Sequence, residues 1–307
     1  MKIVIVGPGA MGCLFAGLLA KGGCDVWLLD KNSKRADIIR HHGIRIEGIT
    51  HLETKINVAD DVTRIGSVEL AIIFVKSYDT FAAAAQLGPV IKNSTYILTL
   101  QNGIGNIENI KKALPNANIL GGITSHGATL LGDGVIRHAG TGDTYIGRLE
   151  GKLTEDLKMI CDMFNSSGIT TKVSDGIEGL LWSKLIINVG INALATLTHL
   201  HNGRLIEFEE TFFIMEKAVS EAIMVAQKKG ITLIYEDPLE RVREVCRLTA
   251  GNICSMLQDV LKKRRTEIDC INGAIVREAK ILNIPVPVNE VLTKLIKTTE
   301  SSYDKQV

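Results

Sequence analysis

The chain of 307 residues has the composition of an ordinary globular protein, with 46% hydrophobic and 22% charged residues, and its length suggests about two domains. Its 35 basic and 34 acidic residues leave a formal net charge of +1, which argues against nucleic acid or an anionic membrane as a partner. Its six cysteines form no C-x-x-C pair and no zinc pattern, so we expect no metal site and the reduced thiols of a cytoplasmic protein.

The first half of the chain alternates short apolar runs with helical patterns. The run Ile3–Val6 is β-branched and wholly apolar, which is typical of a central parallel strand buried on both faces. A helical pattern follows at about residues 10–20. Further strands are predicted at residues 26–29, 70–75, 96–100 and 119–120. This alternation predicts a doubly wound parallel sheet, and residues 140–146, with the turn-rich segment before them, predict a hairpin at its edge.

A G-x-G-x-x-G loop joins the first strand to the first helix. The residues of this glycine loop are Gly7, Pro8, Gly9, Ala10, Met11 and Gly12. The first glycine permits a tight turn, the second lets a pyrophosphate approach the backbone, and the third lets the helix pack closely on the strand. The helix N-terminus then offers N–H groups and a positive dipole end to the phosphates. In this context the loop favours a Rossmann-type dinucleotide site over a glycine-rich turn without a ligand.

Polar residues follow the predicted strands at their carboxyl ends, where ligands bind in open α/β sheets. They are Asp30, Lys31, Lys76, Gln101 and Asn102. Each has an alternative explanation as a surface or turn residue, but together they favour a cofactor cleft. Asp30 has the position of an acid that accepts hydrogen bonds from the ribose hydroxyls of NAD(H), whereas Lys31 would pair with the 2′-phosphate of NADP(H). The residues themselves therefore leave the choice of nicotinamide cofactor open.

Beyond about residue 174, long helical patterns replace the strands, so we predict a dinucleotide-binding domain over residues 1–173 and an all-α substrate and catalytic domain over residues 174–307. Lys184, Asn188 and Asn192 are spaced i, i+4, i+8 in an apolar segment and form one stripe on a helix, here called the lysine stripe. Such a stripe must face water, a partner or a ligand, or form a hydrogen-bond network in the core. The same polar groups argue against a membrane span.

A second set of polar residues lies further along the chain. Asn252 and Ser255 are three apart on a predicted helix and would share a face. Glu267 lies among basic residues, which fits either a surface ion pair or a position facing the lysine stripe. The basic run 262–265 fits either a solvated helix face or a site for an anionic group.

Several motifs accompany these residues. They lie at residues 101–105, 125–128, 181–192, 201–203, 255–259, 265–269 and 271–273. In combination with the glycine loop and Lys76, they resemble the ketopantoate reductase (2-dehydropantoate 2-reductase) family over nearly the whole chain. The resemblance implies a Rossmann domain joined to a helical domain like that of 6-phosphogluconate dehydrogenase. It also implies reduction of 2-dehydropantoate to (R)-pantoate with NADPH, in pantothenate and coenzyme A biosynthesis.

By matching position, the resemblance makes Lys184 the general acid, and Glu267 a contact of the cofactor or substrate in the catalytic site. It also assigns substrate contacts to Asn102, Asn188, Asn192, Asn202 and Ser255, and further cofactor contacts to Lys76, Asn102 and Ala128. Asn252, on the predicted face with Ser255, joins the substrate set. The family commonly has arginine where this chain has Lys31, without an acid before it. This departure weakens the NADP(H) preference that the resemblance implies, because Asp30 would repel a 2′-phosphate, although Lys31 could still bind it. NADP(H) is expected from the resemblance, with NAD(H) as the alternative.

Two other functions compete with this expectation. One is a related reductase of another 2-oxo or 3-hydroxy acid, which the same lysine stripe would serve. The other is a non-enzymatic nucleotide sensor, which would not need Lys184, Asn188 and Glu267 aimed at a substrate. We expect a small-molecule 2-oxo acid as partner, neither nucleic acid nor membrane, and a homodimer as one possible assembly.

Overall fold

The structure, a computed structural model, describes residues 1–149 and 154–305 and divides into two compact units. The sheet unit comprises residues 1–101 and 106–177, and the helical unit comprises residues 102–105 and 178 onward. The short segment 102–105 therefore packs with the helical unit, although it lies between two elements of the sheet unit. The boundary predicted after residue 173 stays a prediction.

The sheet unit contains twelve strands and five helices among the residues described. In chain order they are β1 (Lys2–Val6), α1 (Ala10–Lys21), β2 (Asp25–Leu29), α2 (Ser33–His42), β3 (Ile44–Gly48), β4 (Leu52–Thr54), β5 (Asn57–Ala59), β6 (Leu70–Ile73), α3 (Thr80–Gln86), β7 (Tyr96–Thr99), α4 (Asn106–Ala113), β8 (Asn118–Thr124), β9 (Gly127–Gly132), β10 (Val135–Gly140), β11 (Thr144–Gly147), α5 (Glu155–Ser166) and β12 (Thr171–Val173).

The main sheet has eight strands in the order β12-β11-β8-β7-β6-β1-β2-β5, and all neighbours are parallel except β8 and β11. Residues Ile3–Val6 of β1 are all apolar because both faces of the strand are covered. Ile3 and Ile5 belong to one buried apolar cluster, whereas Val4 and Val6 belong to a second one. Because successive side chains point to opposite faces, a strand covered on both faces shows no alternation of polar residues. The predicted doubly wound sheet is confirmed.

A second sheet has four strands in the order β4-β3-β10-β9, and the sequence analysis did not predict it. A hairpin was predicted for residues 140–146 together with the turn-rich segment before them; the turn-rich segment does form a hairpin, but residues 141–146 take no part in it and it lies in the second sheet. The actual hairpin is β9–β10, whose strands are joined by Asp133 and Gly134, and Gly134 has φ +76°. An Asp-Gly pair is a favoured two-residue hairpin turn, so this signal was present. Residues 144–147 instead form β11 in the main sheet, antiparallel to β8.

Among the residues described, the helical unit has six α-helices, of which the first begins one residue before the division. They are α6 (Ile177–Thr198), α7 (Glu209–Lys228), α8 (Pro238–Leu248), α9 (Ser255–Leu261), α10 (Asn272–Leu282) and α11 (Pro287–Ser301). Within the described residues, α6 alone is long and apolar enough to cross a membrane by length and composition, yet 72% of its most apolar window is buried inside the protein. Such burial is typical of a core helix.

A buried polar network fixes α10 and α11 against α7. The Asn272 side chain donates to the Val189 carbonyl at 3.3 Å and to Asn289 Oδ1 at 3.0 Å. Asn289 in turn donates to Glu221 from its backbone N–H at 2.9 Å and from its side chain at 2.7 Å. The motif at 271–273 therefore has a structural role, because Asn272 ties three helices together.

Candidate functional site

The first and third glycines of the glycine loop are required by packing. Gly7 has φ +98°, and a Cβ atom there would lie 2.8 Å from the Val75 backbone nitrogen. A Cβ atom on Gly12 would lie 2.1 Å from the Gly7 carbonyl oxygen. Both contacts are too short for any side chain, so the close approach of α1 to β1 and β6 depends on glycine at these positions.

The second glycine leaves space instead. Among the residues described, nothing lies within 4 Å of a Cβ atom built on Gly9, the N-cap residue of α1. The helix has no side-chain cap and no acid in its first turn, and its first internal bond runs from Cys13 N–H to Gly9 O. The earlier N–H groups at the positive end of the helix dipole are thus suited to a pyrophosphate. The loop fits a dinucleotide.

The carboxyl end of β2 carries an ion pair that the sequence analysis missed. Asp30 is 2% exposed, and its carboxylate accepts from the Asn32 backbone N–H and from two nitrogens of the Arg35 guanidinium. Lys31 is exposed and pairs with Asp79 at 3.1 Å. The only sequence signal for Arg35 was a basic residue in the first turn of the helix after β2, which does not reveal its partner.

The remaining residues predicted at this sheet edge, and Ala128, which the family resemblance adds to the cofactor site, lie in different settings. Gln101 is buried and donates to the Val75 carbonyl at 2.6 Å and to Thr80 Oγ1 at 2.9 Å, so its role is structural. Lys76 is half-buried and precedes a short 3-10 turn at Ser77–Asp79. Ala128 lies in β9 of the second sheet. Asn102 belongs to the helical unit.

The lysine stripe lies on one helix, α6, as its spacing predicts. Lys184 and Asn188 are half-buried, and Asn192 is buried. Asn188 Nδ2 has no solvent contact and no hydrogen-bond acceptor among the residues described. An unsatisfied buried donor costs roughly 1–3 kcal/mol, so an acceptor supplied from outside the protein would stabilise it.

Lys184 has the electrostatic setting of a proton donor. Burial lowers the pKa of its ammonium group from 10.5 to about 8, and the negative charge of Glu267 opposes that fall. Glu267 is 8% exposed, so it is not a surface residue. The exposed ion pair of its segment is formed by Arg265 and Asp269 at 3.3 Å. A lysine with a pKa near working pH is suited to general acid catalysis.

The segment 102–105 is held against the turn that Glu267 begins. Ile104 N–H donates to the Cys270 carbonyl at 3.1 Å, and Cys270 N–H donates to the Glu267 carbonyl at 3.0 Å. Gly103 has φ +81°, and a Cβ atom there would lie 2.2 Å from the Cys270 carbonyl oxygen. The backbone thus links the Asn102 segment to Glu267 within the helical unit.

Asn202 begins a short 3-10 helix, Asn202–Ile206, and contacts Asn252 in the loop before α9. Asn202 N–H donates to the Asn252 carbonyl at 3.1 Å, and Asn202 Nδ2 donates to Thr249 Oγ1 at 2.9 Å. Asn202 Oδ1 is buried without a hydrogen-bond donor among the described residues. The predicted helical face shared by Asn252 and Ser255 is wrong, because helix α9 begins at Ser255 and Asn252 precedes it.

The cap of α9 explains that helix start. Cys254 is the N-cap residue, and its sulfur accepts from Leu257 N–H at 3.4 Å. Cysteine is not among the usual side chains at this position, so residue type alone does not indicate the start of the helix. Asn252 and Ser255 are both exposed, with the buried Cys254 between them.

The basic run 262–265 forms an exposed turn after α9, where Lys263 has φ +50°. The Arg264 carbonyl accepts from the Tyr303 hydroxyl at 2.7 Å, which fastens the turn to the residues after α11. Within the described part of the chain, no group of three or more His, Cys, Asp or Glu side chains could hold a metal ion.

Comparisons with known proteins cover both units. Residues 3–151 match the family model of ketopantoate reductase PanE/ApbA, and residues 176–300 match the model of its C-terminal domain. A 2-dehydropantoate 2-reductase of Halobacterium salinarum is 37% identical over 303 residues, covering 98% of this chain and 99% of its own.

Two solved structures have nearly the same fold. A PanE/ApbA family ketopantoate reductase from Ralstonia eutropha JMP134 has a TM-score of 0.92 at 31% identity, covering 99% of this chain and 100% of its own. A ternary structure of D-mandelate dehydrogenase with NADH and anilino(oxo)acetate has a TM-score of 0.93 at 30% identity, with the same coverage of both chains.

Proposed function

The chain belongs to the ketopantoate reductase PanE/ApbA family, and on this basis we propose that it is a 2-dehydropantoate 2-reductase that forms (R)-pantoate for pantothenate and coenzyme A biosynthesis. The observation that carries the proposal is the half-buried Lys184 with its pKa near 8 beside Glu267. Ketone reduction needs a proton donor, which is most effective when its pKa lies near working pH, and Lys184 is such a group.

NADP(H) would be held by the sheet unit, with NAD(H) as the alternative. The glycine loop would bind the pyrophosphate through the N–H groups that begin α1, and Lys76 and Ala128 would line the site. When bound, a reduced nicotinamide supplies a hydride to the ketone carbon. Asn102 and Glu267 are the further cofactor contacts in this proposal.

Lys184 would donate its Nζ proton to the ketone oxygen as that oxygen gains negative charge. The positive charge of the ammonium stabilises the developing alkoxide before the proton moves. Glu267 keeps Lys184 protonated by raising its pKa against the effect of burial. General acid catalysis of this kind contributes about 10²–10⁴-fold to the rate.

The substrate would be held by amide and hydroxyl groups of the helical unit. Among the described residues, three buried asparagine atoms of that unit have no hydrogen-bond partner: Asn188 Nδ2, Asn202 Oδ1 and Asn272 Oδ1. The first two belong to the predicted substrate set, and a polar substrate would supply the partner that each of them needs. The remaining contacts in this proposal are Asn102, Asn192, Asn252 and Ser255. No arginine is needed, because neutral donors can bind a carboxylate when they are preorganised.

A second candidate function is reduction of a different 2-oxo acid, with NADH. The structural similarity to D-mandelate dehydrogenase at 30% identity favours it, since that enzyme was solved with NADH and anilino(oxo)acetate. The lysine stripe would serve either ketone, so it does not separate the two candidates. We further propose a cytoplasmic location, no nucleic-acid or membrane partner, and a homodimer as the assembly to test first.

The test is the initial rate of absorbance loss at the reduced nicotinamide band, with ketopantoate or phenylglyoxylate and with NADPH or NADH. Fast turnover of ketopantoate supports the proposal. Faster turnover of phenylglyoxylate than of ketopantoate would support the second candidate function instead. Tight binding of either cofactor without turnover of any 2-oxo acid would instead favour a nucleotide sensor.

A further inference from the structure

The end of β2 is built around a buried carboxylate and a guanidinium. Asp30 N–H donates to the Ala59 carbonyl at 3.0 Å, which fixes the backbone of Asp30 against β5. Its carboxylate binds Arg35 through Nε and through Nη2, the latter at 2.7 Å. A bidentate pair of this kind fixes the guanidinium plane as well as its position.

The backbone of Arg35 is fixed independently. Asn32 caps helix α2, and its Oδ1 accepts from the Arg35 N–H at 3.1 Å. Arg35 is therefore held at both ends, its main chain by Asn32 and its guanidinium by Asp30. A side chain held in this way loses little conformational entropy when it binds a ligand.

The arrangement removes Asp30 from the role that its position predicts. An acid after the second strand of a Rossmann sheet ordinarily accepts from the ribose hydroxyls of NAD. In this chain the Asp30 side chain is 1% exposed and already accepts three hydrogen bonds, from Arg35 and from Asn32 N–H. A ribose hydroxyl would have to displace the guanidinium to reach it.

The Arg35 side chain remains 30% exposed, and two of its five N–H donors are used by Asp30. The stretch 30–35 contains three basic side chains and one acidic one, and the acidic charge is neutralised within the pair. Asp30 likewise cancels the charge of Arg35, Lys31 pairs with Asp79, and the charge of Asp133 also acts on Arg35, so an anion would be bound by the remaining N–H donors of the guanidinium and not by an excess of local positive charge. These donors follow β2, where the adenosine ribose lies in Rossmann sheets.

We propose that Arg35, oriented by Asp30, is the residue of this chain that selects NADP(H) by binding the 2′-phosphate of the adenosine ribose. The inference rests on the proposed function, which supplies the bound dinucleotide. It adds the residue that discriminates between NADP(H) and NAD(H). Asp30 acts as a positioning residue in this arrangement.

Lys31, the obvious alternative, is less suited to discrimination. Its side chain is 71% exposed and pairs with Asp79, which is itself 37% exposed. Arginine binds phosphate bidentately with a planar fork, whereas lysine binds as a mobile point charge. We therefore expect Lys31 to contribute less to the choice of cofactor than Arg35 does.

The experiment is calorimetric titration of the purified full chain with NADP⁺ and NAD⁺, without any 2-oxo acid. In Arg35→Ala, we expect the Kd for NADP⁺ to rise about 10- to 100-fold, as for the loss of a hydrogen-bonded charge, while the Kd for NAD⁺ changes less than about 3-fold. Lys34→Ala is the matched control, because it removes an exposed positive charge one residue away. It should shift both values less than about 3-fold.

Arg35→Lys is the second variant, in case Arg35→Ala fails to fold. It keeps a positive charge next to Asp30 and loses only the planar guanidinium. It should give an intermediate Kd for NADP⁺. An unchanged ratio of the two Kd values in both Arg35 variants overturns the inference, as does an equal shift in Lys34→Ala or Lys31→Ala. If the unmodified chain binds neither dinucleotide, the proposed function fails as well, so the two failures are distinguishable.

Discussion

The sheet unit and the helical unit carry candidate site residues of different kinds. The glycine loop of the sheet unit uses backbone N–H groups, and the space around Gly9 is as important as any side chain. The helical unit uses charged and amide side chains on an apolar helix, among them Lys184 with its lowered pKa. A ligand site made of backbone N–H groups would constrain packing, because only small residues leave space for the ligand. A site made of buried side chains costs free energy, because charged and polar groups are removed from water.

The largest effect is expected at Lys184. Lys184→Met should lower kcat by about 10²–10⁴-fold because the proton donor is lost, while the Kd for the cofactor stays the same. The folded state holds the lysine pKa at about 8, below its value in the unfolded chain, so protonated Lys184 destabilises the fold below about pH 8. The variant should therefore have a raised Tm at pH 7.

Measurement of kcat, cofactor Kd and Tm on Lys184→Met tests whether this lysine supports turnover while it lowers the stability of the fold. The gain in Tm should shrink as the pH rises from about 8 toward 10.5, where the lysine is neutral in the unfolded chain too. Lys228→Met, at an exposed position of α7, is the control and should change none of the three quantities. Normal turnover in Lys184→Met would remove the lysine from the mechanism.

Paired alanine substitutions test whether the glycine loop works through space. A Cβ atom on Gly12 would collide with the Gly7 carbonyl, and overpacking costs about 1–3 kcal/mol, which exceeds the gain of up to about 1 kcal/mol from alanine in a helix. Gly12→Ala should therefore lower both Tm and cofactor affinity. Gly9→Ala meets no protein atom among the described residues, so it should keep its Tm and weaken cofactor binding about 10-fold or more.

The two variants are compared by thermal melting and by cofactor titration. The open space around Gly9 serves a ligand only if Gly9→Ala weakens cofactor binding without lowering Tm. Equal losses of Tm in both variants would show that the loop is merely a tight turn.

A smaller effect is expected at Glu267. Its negative charge raises the pKa of Lys184, so Glu267→Gln should lower that pKa further. Since the protonated lysine is the acid, kcat/KM falls as the pH rises through its pKa, near pH 8 in the unmodified protein. In the variant this basic limb should move to lower pH. A limb that stays in place or moves to higher pH would contradict the electrostatic role of Glu267.

The smallest effect is expected at Lys172 of the sheet unit, whose side chain is exposed and whose pKa is raised, whereas the pKa of Lys184 is lowered by burial. Exposed Lys172 donates to Asp143 at 2.6 Å, and this hydrogen bond raises the lysine pKa. Exposed ion pairs contribute little because water screens them. Lys172→Met should leave Tm and turnover within experimental error. A clear loss of either would mean that burial does not explain the difference between the two lysines.

Local patterns made much of this molecule predictable. The glycine loop, the buried strands and the lysine stripe each depend on the spacing of neighbours along the chain, and each lies in the predicted element. The second sheet was missed although Asp133 and Gly134 signalled its hairpin, because the strands it joins are half exposed and weakly patterned.

Other features depend on contacts between distant or unusual partners. The sulfur cap of Cys254 sets the start of α9, and the bond from Ile104 to Cys270 joins residues far apart in the chain. Arg35 is five residues from Asp30, but only the folded turn brings the guanidinium onto the carboxylate. The proposed roles of the site residues remain predictions, because position in the fold does not by itself identify a ligand contact.

The excursion of residues 102–105 into the helical unit has a consequence for recombination. The chain passes from one unit to the other after residues 101, 105 and 177, so no single cut separates the two units. A chimera that exchanges everything after residue 177 with a paralogue would replace Cys270, whose carbonyl accepts from Ile104 N–H, and would leave Ile104 with a foreign partner. A functional chimera should therefore take residues 102–105 and the helical unit from the same parent protein.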